Sequence, residues 1–582
     1  MSRLYRTLSV ALILAATAFA QSGNQGSIAG TITDSSGAVV SGAQVTVTNQ
    51  DTSAGFTTVS TSEGLFNFPV VPVGSYELRA TSSGFGEQKR NVRVTVGAKI
   101  NLDIRLAAAQ QSENVTVSEE SPVIETTRSQ FSNAVGEQQI RELPVNGRNF
   151  LDFALLTPGV VRDVRGGDLS FAGLRGTLNS LTVDGADNNN TFFGQTIGRT
   201  GSGRAPYQFS QDAVQEFQVI SSSYNAEQGR SGGAVINVIT KSGTNRFHGS
   251  AFEFYRDRGL AANDPVLKQN TQITTPGAPQ PRKPGYHFNQ FGGTLGGPIV
   301  KDRAFFFFNY DGQRNTQLQP TALVLPAPAN AQEAAAINYL QARSAAYTRA
   351  LNQDAFLIKG DWNITHSNLF SVRYNRQDFT GKNFENGGSN QASEHTGNSL
   401  VKTDSVTASL TSTLSPRIIN VAKFQYQIDS EPGKANSNLP EATVQIGGGQ
   451  SFIVGRNSFS PRETTIHRQQ YGDTATINAD AHTLKFGGDY LHDNILNFFP
   501  GNFSGLYSFA NLTSFGCSLQ GIPLDGSNPL CPANSGNLLR EAFAGPRHNR
   551  SDDETEHQPV RLLRAGRVAR AAESDAQFRR AL

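Results

Sequence analysis

Apolar and polar residues alternate one for one through long stretches of the second half of this chain, and a period of two dictates strands. Phe356, Ile358 and Trp362 share one face, with Lys359, Asp361 and Asn363 on the other. Phe370, Val372 and Tyr374 oppose Ser371, Arg373 and Asn375. Phe424, Tyr426 and Ile428 oppose Lys423, Gln425 and Gln427, while Leu484, Phe486 and Tyr490 oppose Thr483, Lys485 and Asp489. Successive side chains of a strand point to opposite faces, so each segment offers one apolar and one polar face. Two settings accept such a strand: a soluble sandwich with its apolar face inward, and a transmembrane barrel with its apolar face toward lipid. Past the leader no run of about 18 apolar residues occurs, which excludes a helical span and leaves a barrel open. Periodicity by itself leans toward the sandwich, so the decision falls to length and to what precedes the strands.

The 582 residues correspond to three or four domains at roughly 150 residues each. With 57 glycines, 25 prolines and few good helix formers ahead of the C-terminus, the composition is that of an all-β chain rich in turns. A net charge of +2 provides no basic field for nucleic acid, and two cysteines exclude both a disulfide scaffold and a paired-cysteine zinc module. Residues 1–20 read as a signal peptide. Arg3 and Arg6 precede an apolar run from Leu8 to Phe19, and Ala18 and Ala20 supply the small-x-small cleavage pattern, so the mature chain is expected to begin near Gln21 outside the cytoplasm.

Residues 21–107 read as a seven-stranded β-sandwich. Short alternating segments such as Ser27–Ile32, Ala43–Thr48, Gly74–Ala80 and Val92–Ile104 are separated by turn chemistry such as Asp34-Ser35-Ser36-Gly37. The string from Gly30 to Asn49, followed by Glu63 to Phe85, closely resembles the carboxypeptidase regulatory-like domain. The resemblance implies no peptidase, since neither zinc ligands nor a nucleophile come with it. It implies a carbohydrate-binding-like fold, which leaves a rigid periplasmic spacer, the preferred reading, beside a sugar-binding module.

Residues 108–134 form a polar linker containing one brief apolar strand, Val115, Thr116 and Val117. Such a segment can add itself to the exposed sheet edge of a partner through backbone hydrogen bonds. Residues 135–245 then carry a series of blocks: Arg141 to Phe150, Leu156 to Val160, Leu174-Arg175-Gly176, Leu181 to Asn189 around Asp184-Gly185, Ala213 to Val219 around Glu216, Tyr224 to Arg230 with Glu227 and Gly229, and Gly232 to Asn245. In this order they resemble the plug of a TonB-dependent receptor, specifically the Oar-like group, in which a regulatory-like sandwich precedes plug and barrel. That resemblance makes Val115–Val117 a candidate TonB box. Asp184-Gly185 is a turn between two strands, and Gly232-Gly233 lets backbones approach closely. Glu216, Glu227 and Arg230 are candidates for a buried charge network between plug and barrel wall. Asp184 and Asp187 lack the twelve-residue pattern and terminal Glu of a calcium loop, so no metal is assigned.

Residues 246–545 are expected to build an incomplete antiparallel barrel of about a dozen strands, where the resemblance implies about 22. His248–Arg256, Phe291–Ile299 and Lys301–Tyr310 continue the Oar-like pattern, and the run Phe305–Phe308 suits an interface belt. Asn263–Lys283 and Gly381–Ser399 read as extracellular loops and Ala331–Leu351 as a short helix on one. Cys517 and Cys531 are candidates for a loop-bracing disulfide. From Pro546 the composition shifts to Arg, Ala, Glu and Asp and alternation vanishes. Residues 546–582 therefore read as an aberrant tail, from a frameshifted or truncated gene or a natural helical extension.

No HExxH, GxSxG, P-loop or metal-spaced cysteine pair occurs, so no enzyme and no cofactor are expected. The resemblance implies an outer-membrane receptor with its sandwich in the periplasm, importing a solute when TonB pulls the plug. Its implied partners are the TonB C-terminal domain with its inner-membrane energising complex, outer-membrane lipid, and a small solute or glycan. The alternatives are an outer-membrane adhesion or surface-organisation protein and a sandwich that binds sugar.

Overall fold

The structure is a computed structural model that describes residues 25–108, 131–143, 145–163, 168–194, 205–262, 283–479, 482–524, 527–529 and 531, with the backbone of 18–19, 117–118 and 536–540. Ala20, Val115, Thr116 and the tail from Pro546 lie outside the described residues.

The N-terminal unit is a two-sheet sandwich. One sheet orders Leu65–Val71, Gly26–Asp34 and Lys99–Asn101, with Ile104–Leu106 also pairing to Gly26–Asp34. The other runs Gln88–Val94, Gly74–Thr81, Gln44–Asn49 and Gly55–Val59. The period-two pattern turns Ile28, Val45, Val47, Phe66, Leu78 and Val94 inward, where each is almost fully buried. The count is eight strands rather than seven, because the last expected strand, Val92–Ile104, is broken at residues 95–98 and again at Leu102-Asp103.

The second unit is a five-stranded mixed sheet in the order Phe131–Val135, Val214–Ser222, Val235–Thr240, Ser180–Val183 and Ala186–Asp187. Its one α-helix among the described residues is Glu137–Glu142. Every residue of Val235–Thr240 is buried, as befits a central strand covered on both faces.

The third unit is a nine-stranded antiparallel meander: His248–Asp257, Tyr286–Val300, Ala304–Gln319, Tyr347–Thr365, Asn368–Glu385, Gly397–Ser415, Ile418–Ser430, Glu463–Ala479 and His482–Phe498. The sheet does not close among the described residues. Its borders are His248–Asp257 and His482–Phe498, the latter carrying Ala18–Phe19 in parallel. At one end the strands are joined tightly, as by Lys301–Arg303, His366–Ser367 and Pro416–Arg417; at the other, residues 320–346, 386–396 and 431–462 make long excursions.

The faces of this sheet are inverted relative to a soluble protein. Gln353, Lys359, Arg373, Asn375, Gln425 and Arg468 are buried on the concave side, while Ile358, Trp362, Val372, Phe424, Tyr471 and Phe486 are exposed on the convex side. A convex surface of this kind demands an apolar solvent.

Four expectations change. About a dozen barrel strands become nine among the described residues. Four short strands, Glu441–Gly447, Gln450–Val454, Leu506–Phe509 and Gly536–Arg540, leave the ring and form a separate sheet with the helices Ala331–Arg343 and Leu512–Leu519. The first of those helices stops at Arg343 rather than Leu351, because the alternating pattern from Tyr347 belongs to a barrel strand that rises above the ring. The Gly381–Ser399 excursion narrows to 386–396 for the same reason. The belt expected of Phe305–Phe308 is also divided: Phe305 and Phe307 are buried, and Phe307 packs in the core of the second unit, while Phe308 faces out.

Replacing the outward Phe424 by Arg should cost about 2–4 kcal/mol in a bilayer, against less than about 1.5 kcal/mol for Phe424→Leu. The sole tryptophan, the outward-facing Trp362, reports the urea transition in phospholipid vesicles by fluorescence.

Candidate functional site: the plug and its walls

The mixed sheet sits against the concave face of the meander, and two kinds of contact hold it there. Toward Ala304–Gln319 and Tyr347–Thr365 the contact is apolar, with Phe307 and Leu357 joining Phe150, Phe217, Val219 and Val238 in one core. Toward the later strands it is ionic.

Asp184 lies in the turn between Ser180–Val183 and Ala186–Asp187 at φ 51°, followed by Gly185 at φ 77°. Positive φ at both central positions matches the twist of a tight hairpin, and Asp and Gly tolerate it best. The Asp184 carboxylate accepts from Thr240 N at 2.9 Å and Thr240 Oγ1 at 2.8 Å. Arg373 Nη1 meets it at 2.5 Å, and Lys359 Nζ stands 3.9 Å away. Burial pushes its pKa up, but Lys359, Arg373 and the Thr240 hydrogen bonds outweigh burial and hold it below the ordinary 3.8.

Asp187, just beyond the turn, is fully buried. It bridges Arg468 Nη1 at 2.6 Å from the wall and Arg230 Nη1 at 2.9 Å from the plug, and Arg468 Nε continues to Asp493 at 2.9 Å. Glu227 pairs with Lys485 at 2.9 Å in a half-exposed position. A third tie joins Asp311 on the wall to Tyr207 OH at 2.5 Å and Ser210 Oγ at 2.8 Å, with the Arg148 guanidinium 3.7 Å from the Phe252 ring centroid beside it.

The network expected from Glu216, Glu227 and Arg230 therefore divides. Arg230 reaches the wall through Asp187 and Glu227 reaches Lys485, but Glu216 faces the other way. It is buried on strand Val214–Ser222 beneath the sandwich, where it accepts the backbone N–H of Val96. Burial pushes its carboxyl up to about 7, with the Val96 hydrogen bond and Arg93 pulling down and Glu137 pushing up.

Arg175 is exposed at the start of a single 3₁₀ turn, and Gly176 is buried where a Cβ would lie 2.6 Å from Asp168 Cβ. Gly233 is equally constrained, its Cβ position lying 2.5 Å from Asn179 Oδ1, while Gly229 lines a small cleft with Gly185 and Asn237. Cys517 and Cys531 form a disulfide with Cα atoms 6.1 Å apart, pinning the helix Leu512–Leu519 in the sheet outside the ring. The backbone of Val117–Ser118 pairs in parallel with Arg90-Asn91 on the sandwich edge.

In the half of the ring nearer the long excursions, a narrow cleft of about 30 Å³, room for no more than a water or two, opens between plug and wall. Asn188, Asn190 and Gln208 of the plug face Gln377, Gln427 and Asp429 of the wall across it. Asn190 Nδ2 donates to Asp429 Oδ2 at 3.0 Å. The amides and carboxylate place hydrogen-bonding groups on both of its walls. Sequence reasoning missed Arg468, Asp311 and Tyr207. The available signal was a charge on the polar face of an alternating strand, as at Arg373 and Arg468, since such a charge needs a partner inside the ring.

Residues 239–336 and 318–530 match the family described as outer membrane beta barrel domain, and residues 27–107 match the carboxypeptidase regulatory-like domain. A curated relative, the TonB-dependent transporter Oar of Myxococcus xanthus, is 29% identical over 313 residues, covering 52% of this chain and 28% of the relative. Among solved structures, the outer membrane transporter YddB from Escherichia coli aligns with TM-score 0.48 and 12% identity over 65% of this chain and 50% of that one. The siderophore receptor PirA from Acinetobacter baumannii aligns with TM-score 0.41 and 16% identity over 62% and 48%. The chain thus spans little more than a quarter of the curated relative and about half of these structures.

Replacing Arg373 by Met leaves Asp184 buried without its closest cation, which should cost about 3–5 kcal/mol of plug retention. Adding Asp184→Asn should restore most of it, with hydrogen exchange at Ser180–Val183 as the measure. Because the Asp184 pKa is lowered, its stabilisation is present above 3.8 and lost as pH falls through the lowered value. Protection of this strand, with exchange corrected for the intrinsic pH dependence of the amide rate, should therefore stay flat from pH 8 to pH 5 and fall only in stronger acid.

Proposed function

We propose energised uptake across the outer membrane from one premise: this chain belongs to the outer membrane beta barrel domain family. In this reading the mixed sheet is a plug, the meander is part of the barrel wall, and the sandwich lies on the periplasmic side. A polar solute enters from the side of the long excursions and meets the plug apex at the cleft around Asn188, Asn190 and Asp429. TonB then grips an extended segment ahead of the plug, for which Val115–Val117 is the candidate, and its pull is transmitted to the plug sheet through Phe131–Val135.

The observation that carries the reading is the ionic seat of the plug. Asp184 and Asp187 are plug carboxylates held by wall cations, Arg373 and Arg468. These pairs are buried while the plug is seated, but on separation into water both partners regain hydration, whereas parted apolar surfaces regain none. A stationary adhesin has no need for a seat that can be released.

Energised uptake should vanish when Val115 and Val117 are both replaced by Pro, because proline removes the backbone donors that strand addition needs. The measurement is accumulation of solute by energised cells against cells whose membrane potential has been collapsed. Unchanged accumulation in the double variant would remove the TonB assignment. Co-purification of the parent chain, and not the variant, with an isolated TonB C-terminal domain provides the binding arm.

A further inference from the structure

The sandwich does not hang free of the rest of the chain. On the plug, Val96 N–H donates to Glu216, and Gly97, at φ 67°, sits so close that a Cβ there would lie 2.6 Å from Gln218 Oε1. On the flank of the early barrel strands, Asn245 N–H donates to Asp51 O at 2.8 Å and Ser53 Oγ to Asp302 Oδ1 at 2.6 Å. On the flank of the late strands, Asn67 Nδ2 donates to Asn478 Oδ1 at 3.1 Å and to Thr483 Oγ1 at 2.8 Å. Val70 packs there against Ile419 and Val421. Every barrel residue in these contacts lies at or beside a tight strand connection. The sandwich thus bridges the tight-turn mouth of the ring from its second strand to its ninth, with the plug directly above.

We propose that the sandwich is a second closure of the ring, a latch across the tight-turn mouth that must swing away before the plug can leave its seat by that route. Each partner keeps its own core, so separating them costs neither its fold. The contact between them is mostly hydrogen bonds, with the small Val70 cluster and Leu369 of the wall packed against the sandwich core as its apolar parts, the composition of an interface within a chain that opens. The inference stands on these contacts and not on any solute being carried.

Glu216 makes the latch sensitive to pH. Arg93 of the sandwich and Glu137 of the plug helix face its carboxyl, and Glu137 is itself paired with Lys241 at 3.3 Å. Docked, the carboxyl is raised to about 7; undocked, it returns to water and its ordinary 4.5. A group raised in the docked state favours docking fully below its free pKa and loses that contribution as pH rises through the docked value. The latch should therefore hold at pH 5.5 and loosen toward pH 8, by about tenfold or more in the docking equilibrium.

The test uses the full chain in detergent with Asn67→Cys and Thr483→Cys, bridged by a short thiol crosslinker, and no solute in any arm. The expected result is efficient crosslinking at pH 5.5, a clear fall at pH 8, and lower protection factors at Val214–Ser222, after correction for the intrinsic pH dependence of amide exchange, in step with that fall. Adding Gly97→Leu, which collides with Gln218, should abolish crosslinking while Gln44–Asn49 keeps its protection. Glu216→Gln preserves the shape and should crosslink equally at both pH values. Equal yields with and without Gly97→Leu, or exchange at Val214–Ser222 that ignores crosslinking, would overturn the latch; a pH-independent yield in the parent pair would overturn the role of Glu216.

Discussion

A strand that shows its apolar face to lipid must turn its polar face inward, and those inward groups need partners. The rest of the structure follows from that requirement. Gln353, Arg373, Asn375, Gln425 and Arg468 are almost fully buried behind the wall, which is tolerable only because something polar stands against them. The plug supplies it: Tyr207 O accepts from Gln353 and Gln377, Asp184 meets Arg373, and Asp187 meets Arg468. Wall and plug are therefore complements: among the described residues Asp184 finds its cations, Arg373 and Lys359, only across the boundary.

The seat is asymmetric, and the asymmetry is written in the side chains. Where Ala304–Gln319 passes the plug, the sequence abandons alternation for four consecutive phenylalanines, and both faces of the strand are consumed: one by the plug core, the other by lipid. Further round, alternation returns and the inner face is charged. An apolar contact loses its full transfer free energy on separation, roughly 25 cal/mol per Å², while an ion pair regains much of its energy as hydration. A plug that moves under load would be expected to part first along Arg373 and Arg468 and to pivot about Phe307 and Leu357.

Much of this architecture was legible in the sequence because period two is unambiguous once it repeats. The faces assigned to Ile358 against Lys359, and to Phe424 against Gln425, are the faces observed. What was not legible depended on contacts between distant segments. Nothing near Arg468 in sequence announces Asp187, which lies 281 residues earlier. Glu216 sits in an alternating strand where either face would have been reasonable, and only the placement of the sandwich decides that it meets Val96. The four short strands outside the ring misled the count for a related reason: a five-residue alternating segment looks the same whether it pairs in a barrel or in a small sheet beside two helices. Length would have separated them, since the ring strands after the first two run from 13 to 19 residues.

The open borders of the meander complete the physical picture. His248–Asp257 leaves one side of its backbone without a strand partner among the described residues, and His482–Phe498 carries only the two residues Ala18–Phe19 on its outer side, while lipid supplies no hydrogen bonds to the rest. The sandwich contacts residues on both sides of this gap region, Asp302 near one border and Thr483 on the other. A domain in contact with both flanks of the sheet fixes their separation while it is docked, so in the proposed latch the contacts that bar the mouth also hold the two borders of the wall in place. Closure of the wall and closure of the mouth are then coupled through one small β-sandwich.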